Sequence, residues 1–192
     1  MSGAFARYDA FPHAPLHAWK PAFPPGRIDR IYLHWSSGDY ETVYPAYHFC
    51  IASVDGMPVV VETRDLRANM RDVRDGGDYA AHTAGRNGFS AGVSIMAMRG
   101  ARPENFGAFP LLEPAVDALC AVVAAVARRY ALHIDADHVL THAEAALLDG
   151  YFGCANDEQR WDIARLGASL DPLTPEEARA TGDELRARAR AR

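Results

Sequence analysis

Residues 28–35 have the sequence Ile-Asp-Arg-Ile-Tyr-Leu-His-Trp. Apolar and polar residues alternate along it, which predicts a β-strand with two different faces. The strand ends near His34, and a Ser-Ser-Gly loop follows Trp35. Functional side chains often lie where a rigid strand gives way to a loop, so His34 is a candidate site residue. A hydrogen-bonded histidine at the edge of the core is an equally good interpretation of this segment alone.

Two later segments also end an apolar run with a side chain that binds metals. Residues 139–144, Val-Leu-Thr-His-Ala-Glu, place His142 after a short predicted strand, and Asp162 lies in an apolar setting further on. Two histidines and one carboxylate are the protein ligands of many catalytic zinc sites, which keep a fourth position for water. Both segments have a structural alternative. Glu144 completes a helix capping box around His142, and Arg160 is an ion-pair partner for Asp162.

Length and composition fit one soluble globular domain. The chain has 192 residues, of which 49% are hydrophobic and 23% are charged. Its formal net charge is −5, which argues against nucleic acid as a partner because phosphate binding needs a positive surface. The N-terminus lacks the apolar stretch of a secretory signal peptide, and no apolar run reaches the ~20 residues of a membrane span. We therefore expect a monomer that is synthesised in the cytoplasm and has no membrane span.

The cysteines fit a protein made in a reducing compartment, because an odd number without a CxxC pair forms no disulfide framework. Cys50 and Cys120 lie in apolar runs and are expected to be buried as small hydrophobic residues. Cys154 lies in a Gly-rich loop between His142 and Asp162. It is therefore an alternative to Asp162 as the third metal ligand.

The predicted strands and helices together indicate an α/β fold. Residues 47–54 and 57–62 flank Asp55-Gly56, which is a strong signal for a β-hairpin. Residues 91–98 predict another strand, and the apolar positions of residues 113–130 recur at helical spacing. We therefore predict a single domain with a central mixed β-sheet flanked by helices.

The two ends of the chain are predicted to be accessory to this domain. Residues 1–27 are rich in proline and are interpreted as an extended arm packed on the domain of residues 28–170. Residues 171–192 predict a helical tail, with Thr174 as its N-cap and Pro175 at its first position. Arginines occupy positions 186, 188, 190 and 192 at the end of the tail. We favour a solvated helix end for them, and binding to anionic envelope polymers is the alternative.

Five segments follow one another in a distinctive order along this chain. They are the strand that ends near His34, Tyr47-His48-Phe49 before Asp55-Gly56, the loop from His82 to Val93, Thr141-His142-Ala143-Glu144, and Arg160-x-Asp162. In this order they resemble the zinc-dependent N-acetylmuramoyl-L-alanine amidases, a superfamily that includes small phage lysozyme-type amidases and the peptidoglycan recognition proteins. The resemblance runs from about residue 28 to residue 166 and rests on the order of the motifs more than on any one of them.

The resemblance implies a zinc site and a catalytic apparatus. The family holds its zinc with two histidines and a cysteine or aspartate, which here implies His34, His142 and Asp162. The family's tyrosine before His-Phe matches Tyr47, which would assist proton handling. A lysine commonly lies two positions before the ligand aspartate, and this chain has Arg160 there. Arginine keeps its charge at any working pH, so Arg160 would stabilise an oxyanion by electrostatics alone.

The remaining site residues also follow from the resemblance. Because arginine does not shuttle a proton, Tyr47 or Glu144 would have to move it. The family's loop histidine matches His82, which would contact the substrate together with Thr83 and Asn87.

The implied activity is hydrolysis of the amide between the lactyl group of N-acetylmuramic acid and the L-alanine of the peptidoglycan stem peptide. The implied cofactor is Zn²⁺, and the implied partner is peptidoglycan or a soluble muropeptide. Since we find no signal peptide, we favour a bacteriolytic phage or prophage endolysin that acts on the cell wall, in the periplasm, after release. A non-catalytic peptidoglycan-binding module and an amidase that recycles soluble anhydro-muropeptides are the alternatives.

Overall fold

A six-stranded mixed β-sheet forms the centre of the computed structural model, which describes residues 5–192. The strands of the protein are β1 (Ala6–Arg7), β2 (His13–Pro15), β3 (Arg30–Trp35), β4 (Thr42–Val43), β5 (Phe49–Val54), β6 (Met57–Glu62), β7 (Ser90–Ile95) and β8 (Val139–Thr141). Strands β1 and β4 pair with each other in a separate two-stranded sheet, and the other six form the central sheet. The α-helices are α1 (Glu113–Tyr130), α2 (His142–Asp149) and α3 (Pro175–Arg190). Helices flank the sheet, so the predicted α/β class is confirmed. Within residues 5–192 no helix is both long and apolar enough to cross a membrane.

Strand β3 lies between two parallel neighbours, β7 and β8, and this arrangement positions the site. The sheet has the order β2-β6-β5-β7-β3-β8, and the β5–β6 and β2–β6 pairs are antiparallel. Leu33 of β3 is in register with Thr141 of β8, so the residues that follow them, His34 and His142, come side by side. Parallel strands end at the same edge of a sheet, which is why two distant segments of sequence meet here.

The two faces of β3 bury different kinds of side chain. Ile31 and Leu33 belong to the main hydrophobic core, together with the apolar face of α1. Tyr32 and His34 project from the opposite face, because successive side chains of a strand alternate. Helix α1 therefore covers one face of the sheet, and the candidate site lies on the other.

The predicted hairpin is confirmed. Its turn residues Asp55 and Gly56 have positive φ angles of 49° and 75°, as in the tight turns that join antiparallel strands. Strand β5 begins at Phe49, two residues later than predicted, since the residues before it form a bend. Cys50 on β5 and Cys120 on α1 are buried, as expected of cysteines in apolar runs.

The described part of the N-terminal arm packs on the domain and extends its sheet. Strand β2 pairs with β6 at the edge of the sheet. Trp19 Nε1 donates a hydrogen bond to Glu62 Oε1 at 2.9 Å, and the Trp19 ring centroid lies 5.7 Å from that of Phe49. The arm is therefore held by backbone pairing and by aromatic packing.

The predicted tail helix is present as α3, but the interpretation of its arginines as a solvated end is wrong for Arg186, which is buried, whereas Arg190 and Arg192 are exposed. Helix α3 packs on α1 and α2 and places Leu185 in the core. Arg186 is 3% exposed, and its guanidinium donates to both carboxylate oxygens of Glu144, at 3.0 and 2.8 Å. Arg188 pairs with Glu113 on α1. A buried charge needs a partner, and these partners lie on helices far away in sequence.

Candidate metal centre

Three side chains from distant parts of the chain converge at the end of β3. His34 lies on β3, His142 is the first residue of α2, and Asp162 lies in the turn that follows Trp161. The Nδ1 atoms of His34 and His142 are 3.1 Å apart. Asp162 Oδ2 lies 3.3 Å from Nδ1 of His34 and 2.9 Å from Nδ1 of His142. The structure thus brings together the three residues that the sequence predicted as metal ligands.

The donor set suits one tetrahedral zinc ion. Ligand atoms that lie 2.0–2.1 Å from zinc are about 3.3 Å apart in a tetrahedron, close to the spacing of these three atoms. The available protons do not satisfy all three contacts. The carboxylate oxygen only accepts, and two Nδ1–H groups would oppose each other across 3.1 Å. A cation that accepts a lone pair from each atom satisfies the whole group.

Asp162 and His34 are held in the deprotonated state that metal binding needs. Burial raises the pKa of the Asp162 carboxyl, but the charges and hydrogen bonds of His142 and His34 outweigh burial and keep that pKa well below its usual value. Burial lowers the pKa of His34 to about 4, although the hydrogen bond to Asp162 acts in the opposite direction. At neutral pH the site therefore offers a carboxylate and a neutral imidazole.

Backbone contacts hold His142 and Asp162 in fixed relation to each other. The N–H of Ala143 donates to the carbonyl of Asp162 at 3.1 Å. The Thr141 hydroxyl accepts from the N–H of Glu144 at 3.1 Å, and the Glu144 carboxylate accepts from the N–H of Thr141 at 2.9 Å. This is the capping box that the sequence indicated, and it fixes His142 at the start of α2.

The structure does not bring Glu144 into the cavity over the metal ligands. Its carboxylate oxygens are engaged by the N–H of Thr141 and by the guanidinium of Arg186, where α2 packs against α3. A group that transfers a proton must come within hydrogen-bond reach of the reacting atoms. The position of Glu144 therefore gives no support to the role in proton transfer expected from the sequence.

An open cavity of about 590 Å³ borders the group of His34, His142 and Asp162. His142 and Asp162 form part of its wall, which also includes Trp35, Tyr47, His82, Cys154 and Arg160. The exposed Cys154 does not belong to the group of converging ligand atoms, which favours Asp162 as the third ligand. The cavity gives a substrate direct access to that group.

Tyr47 lies beside His34 of β3. The ring centroids of Tyr47 and His34 are 5.1 Å apart. Burial raises the pKa of Tyr47 far above its usual value, so its hydroxyl keeps its proton at neutral pH and is able to donate it in a hydrogen bond. The neighbouring His48 turns towards the sheet, where its Nδ1 accepts from the N–H of Gly92 at 3.0 Å. Tyr47 therefore lines the cavity, and His48 does not.

Arg160 lies in the cavity wall and is exposed to solvent. Its guanidinium donates to the backbone carbonyls of Asp157 and Gln159, at 2.5 and 2.7 Å. Among the residues that the structure describes, it forms no ion pair with Asp162, so the structural alternative for that carboxylate is wrong. Its own loop thus holds the positive charge of Arg160 at the mouth of the cavity.

The loop residues expected to contact substrate differ in their surroundings. Asn87 Oδ1 accepts from the backbone N–H groups of His82 and Thr83, at 3.0 and 2.8 Å, and so fixes the shape of the loop. Thr83 Oγ1 lies 3.3 Å from Nε2 of His34. His82 lines the cavity, whereas Thr83 and Asn87 do not.

Sequence reasoning missed two buried residues behind this loop. Asn69 Nδ2 donates to the carbonyls of Ala80 and Asn87, at 2.9 and 2.8 Å, and its Oδ1 accepts from the N–H of Ala80 at 2.8 Å. Ser90 Oγ donates to the carbonyl of Asn87 at 2.8 Å. Ser90 belongs to the loop motif, which was a signal for its importance. Asn69 lies in a stretch without a motif, and no pattern marks it as buried.

Comparison with known proteins adds one distant likeness to these observations. No family model matches the chain, and no curated protein matches it. Among the solved structures that match is a complex of the N-acetylmuramyl-L-alanine amidase AmiD from E. coli with the substrate anhydro-N-acetylmuramic acid-L-Ala-D-gamma-Glu-L-Lys. The two chains are 16% identical with a TM-score of 0.43, and the match covers 66% of this chain and 52% of that chain. The chain thus spans about half the length of that amidase.

Proposed function

We propose that this protein is a peptidoglycan hydrolase, namely a zinc-dependent N-acetylmuramoyl-L-alanine amidase. It would cleave the amide between the lactyl group of N-acetylmuramic acid and the L-alanine of the stem peptide. The observation that carries the proposal is the convergence of His34, His142 and Asp162 beneath an open cavity. The ordered motifs that resemble this amidase family supply the substrate class.

Each residue of the site has a role that follows from its position. The two histidines and Asp162 would hold the zinc ion. Bound there, zinc would supply Lewis acidity and lower the pKa of a water molecule towards neutrality. Tyr47 keeps its proton at neutral pH, so its hydroxyl would orient the attacking water or the scissile carbonyl by donating a hydrogen bond, and would not act as the base. Arg160 would place a permanent positive charge near the developing oxyanion.

The test is an assay of purified protein on isolated sacculi, with released peptides identified by mass spectrometry. We expect free stem peptides with a new N-terminal alanine. Excess chelator should abolish their release, and added zinc should restore it, whereas added magnesium should not, since magnesium prefers oxygen ligands. Full activity in excess chelator would contradict the proposal. Binding to sacculi without any release would identify a non-catalytic module.

We further propose that the enzyme acts as a phage or prophage endolysin. An endolysin works on the intact wall, so its rate on sacculi should exceed its rate on soluble anhydro-muropeptides at equal concentrations of the scissile amide. The matched comparison uses the same enzyme preparation and the same peptide product. A clear preference for the soluble substrate would instead identify an enzyme of muropeptide recycling.

A further inference from the structure

A chain of hydrogen bonds leads from His34 away from the metal ligands and into the interior. His34 Nε2 lies 3.3 Å from Thr83 Oγ1, which lies 3.0 Å from His82 Nδ1. On the far side of that ring, His82 Nε2 lies 3.3 Å from Ser90 Oγ. Ser90 Oγ in turn donates to the backbone carbonyl of Asn87 at 2.8 Å. All five residues are buried, so water does not compete for these contacts.

The far end of this chain sets the direction of every hydrogen bond in it. A carbonyl oxygen only accepts, so the Ser90 hydroxyl donates to it and accepts from the Nε2–H of His82. A neutral imidazole has one donor and one acceptor nitrogen, so His82 Nδ1 accepts from the Thr83 hydroxyl. Thr83 Oγ1 then accepts from the Nε2–H of His34. The single proton of neutral His34 is thereby placed on Nε2, and its Nδ1 presents a lone pair to the other two ligands.

The position of His82 depends on a glycine in β7. A Cβ atom at Gly92 would lie 2.6 Å from both Cγ and Cδ2 of the His82 ring, well inside any normal contact. The ring therefore rests directly on the backbone of the strand, an approach that glycine permits. Packed in this way, the ring holds one nitrogen towards Thr83 and the other towards Ser90. Gly92 thus makes room for the His82 ring, which forms the hydrogen bonds to Thr83 and Ser90.

We propose that Thr83 and His82 are positioning residues that select the metal-binding tautomer of His34. The competing tautomer would carry its proton on Nδ1 and donate it to Asp162 Oδ2, which lies 3.3 Å away, and that proton would block ligation. The Thr83 oxygen opposes it by stabilising the proton on Nε2. The inference rests on the proposed function in taking His34 as a zinc ligand. It gives these two loop residues a role in orienting His34, in addition to any contact that His82 makes with substrate in the cavity.

Two substitutions at one position test the inference. Thr83→Val keeps the shape of the side chain and removes the oxygen, whereas Thr83→Ser keeps the oxygen. We expect the zinc affinity, measured by competition with a chromophoric chelator, to fall about tenfold or more in Thr83→Val and to stay near that of the wild type in Thr83→Ser. Thr181→Val is the matched control, because that buried hydroxyl donates to the Ala164 carbonyl outside the chain of hydrogen bonds. Its zinc affinity should not change.

Histidine nitrogen NMR of the zinc-free protein reads the tautomer directly. In the wild type and in Thr83→Ser, the proton of His34 should lie on Nε2, and in Thr83→Val it should move to Nδ1. If Thr83→Val does not fold, Ser90→Ala takes its place, because it interrupts the same series of hydrogen bonds at the far end. Its zinc affinity and its histidine nitrogen NMR are measured in the same way.

The possible failures of the two proposals are distinguishable. A wild-type protein that binds no zinc would refute the proposed function, while the NMR result would still decide how Thr83 acts on His34. The inference is overturned if the wild type carries the proton of His34 on Nδ1. It is also overturned if Thr83→Val binds zinc as tightly as Thr83→Ser.

Discussion

Helix α2 contributes to two buried polar clusters near its start: His142 belongs to the metal-ligand group, and Glu144 belongs to the ion pair with Arg186. In the ion pair, a guanidinium donates to both oxygens of a carboxylate and to the carbonyl of Val139 at 2.8 Å. Donors and acceptors are matched there. In the ligand group, three atoms with lone pairs face one another with too few protons to satisfy them.

This difference separates a cluster that serves the fold from one that serves a ligand. The ion pair is enclosed between α2 and α3 and is complete within the protein. The group of His34, His142 and Asp162 borders an open cavity, and a cation bound there would complete it. Disruption of the ion pair should therefore cost folding stability and leave metal binding alone. Disruption of the group of His34, His142 and Asp162 should abolish metal binding and leave the folding stability of the metal-free protein nearly unchanged.

The largest effect is expected from Asp162→Asn. The amide has nearly the shape of the carboxylate but lacks the negative charge with which the carboxylate would bind zinc. Zinc at a thousand times its dissociation constant should raise the free energy of unfolding of the wild type by about 4 kcal/mol. Asp162→Asn should gain almost none of this. Urea unfolding with and without zinc measures both values.

The matched control for this prediction is Cys154→Ala, which removes the alternative third ligand from the cavity wall. Zinc should stabilise Cys154→Ala as much as it stabilises the wild type. Equal stabilisation of Asp162→Asn, or its loss in Cys154→Ala, would show that the ligand group has been assigned wrongly.

An effect of comparable size, but of the opposite kind, is expected from Arg186→Met. The substitution leaves the carboxylate of Glu144 buried without its cation, which typically costs about 3–5 kcal/mol. We expect the free energy of unfolding to fall by this amount, while the zinc affinity of the folded protein stays unchanged. Arg179→Met on the exposed face of α3 is the control, and it should change stability by less than about 0.5 kcal/mol. A loss of zinc affinity in Arg186→Met would show that the two clusters are coupled.

The two clusters also differ in whether their contacts could be predicted from the sequence. The two candidate histidines were predictable because His34 and His142 each follow an apolar run at or next to the end of a strand, and neighbouring parallel strands end at one edge. Helix α1 was predicted at its observed bounds because helical periodicity is a local property. The environment of Arg186 was not predictable, since its partner lies 42 positions away and their contact depends on how α3 packs.

The same reason explains why the role of Thr83 was not foreseen. The motif around it identified a functional loop, but its contact with His34 bridges 49 positions. Whether a hydroxyl meets a substrate or the back of a ligand depends on the orientation of the loop. That orientation is fixed by buried amides such as Asn69, which no sequence pattern singles out.

The smallest effect is expected at His48, a buried histidine that belongs to neither cluster. His48 accepts from the N–H of Gly92, and among residues 5–192 its Nε2 has no hydrogen-bond partner. Burial lowers the pKa of His48 from 6.5 to about 3. Between these values the unfolded chain binds a proton that the folded chain does not, so stability is lost as the pH falls through this window. The slope for one such group is at most about 1.4 kcal/mol per pH unit.

His48→Gln should remove this contribution. We expect the free energy of unfolding, measured in urea with chelator present between pH 4.5 and 6, to fall less steeply with decreasing pH in the variant than in the wild type. His17→Gln on the exposed surface of the arm is the control and should keep the wild-type slope. An unchanged slope in His48→Gln would mean that His48 takes up its proton in the folded state. A neutral imidazole would then be enforced in this interior only where a metal or a hydrogen-bond chain requires it, as at His34.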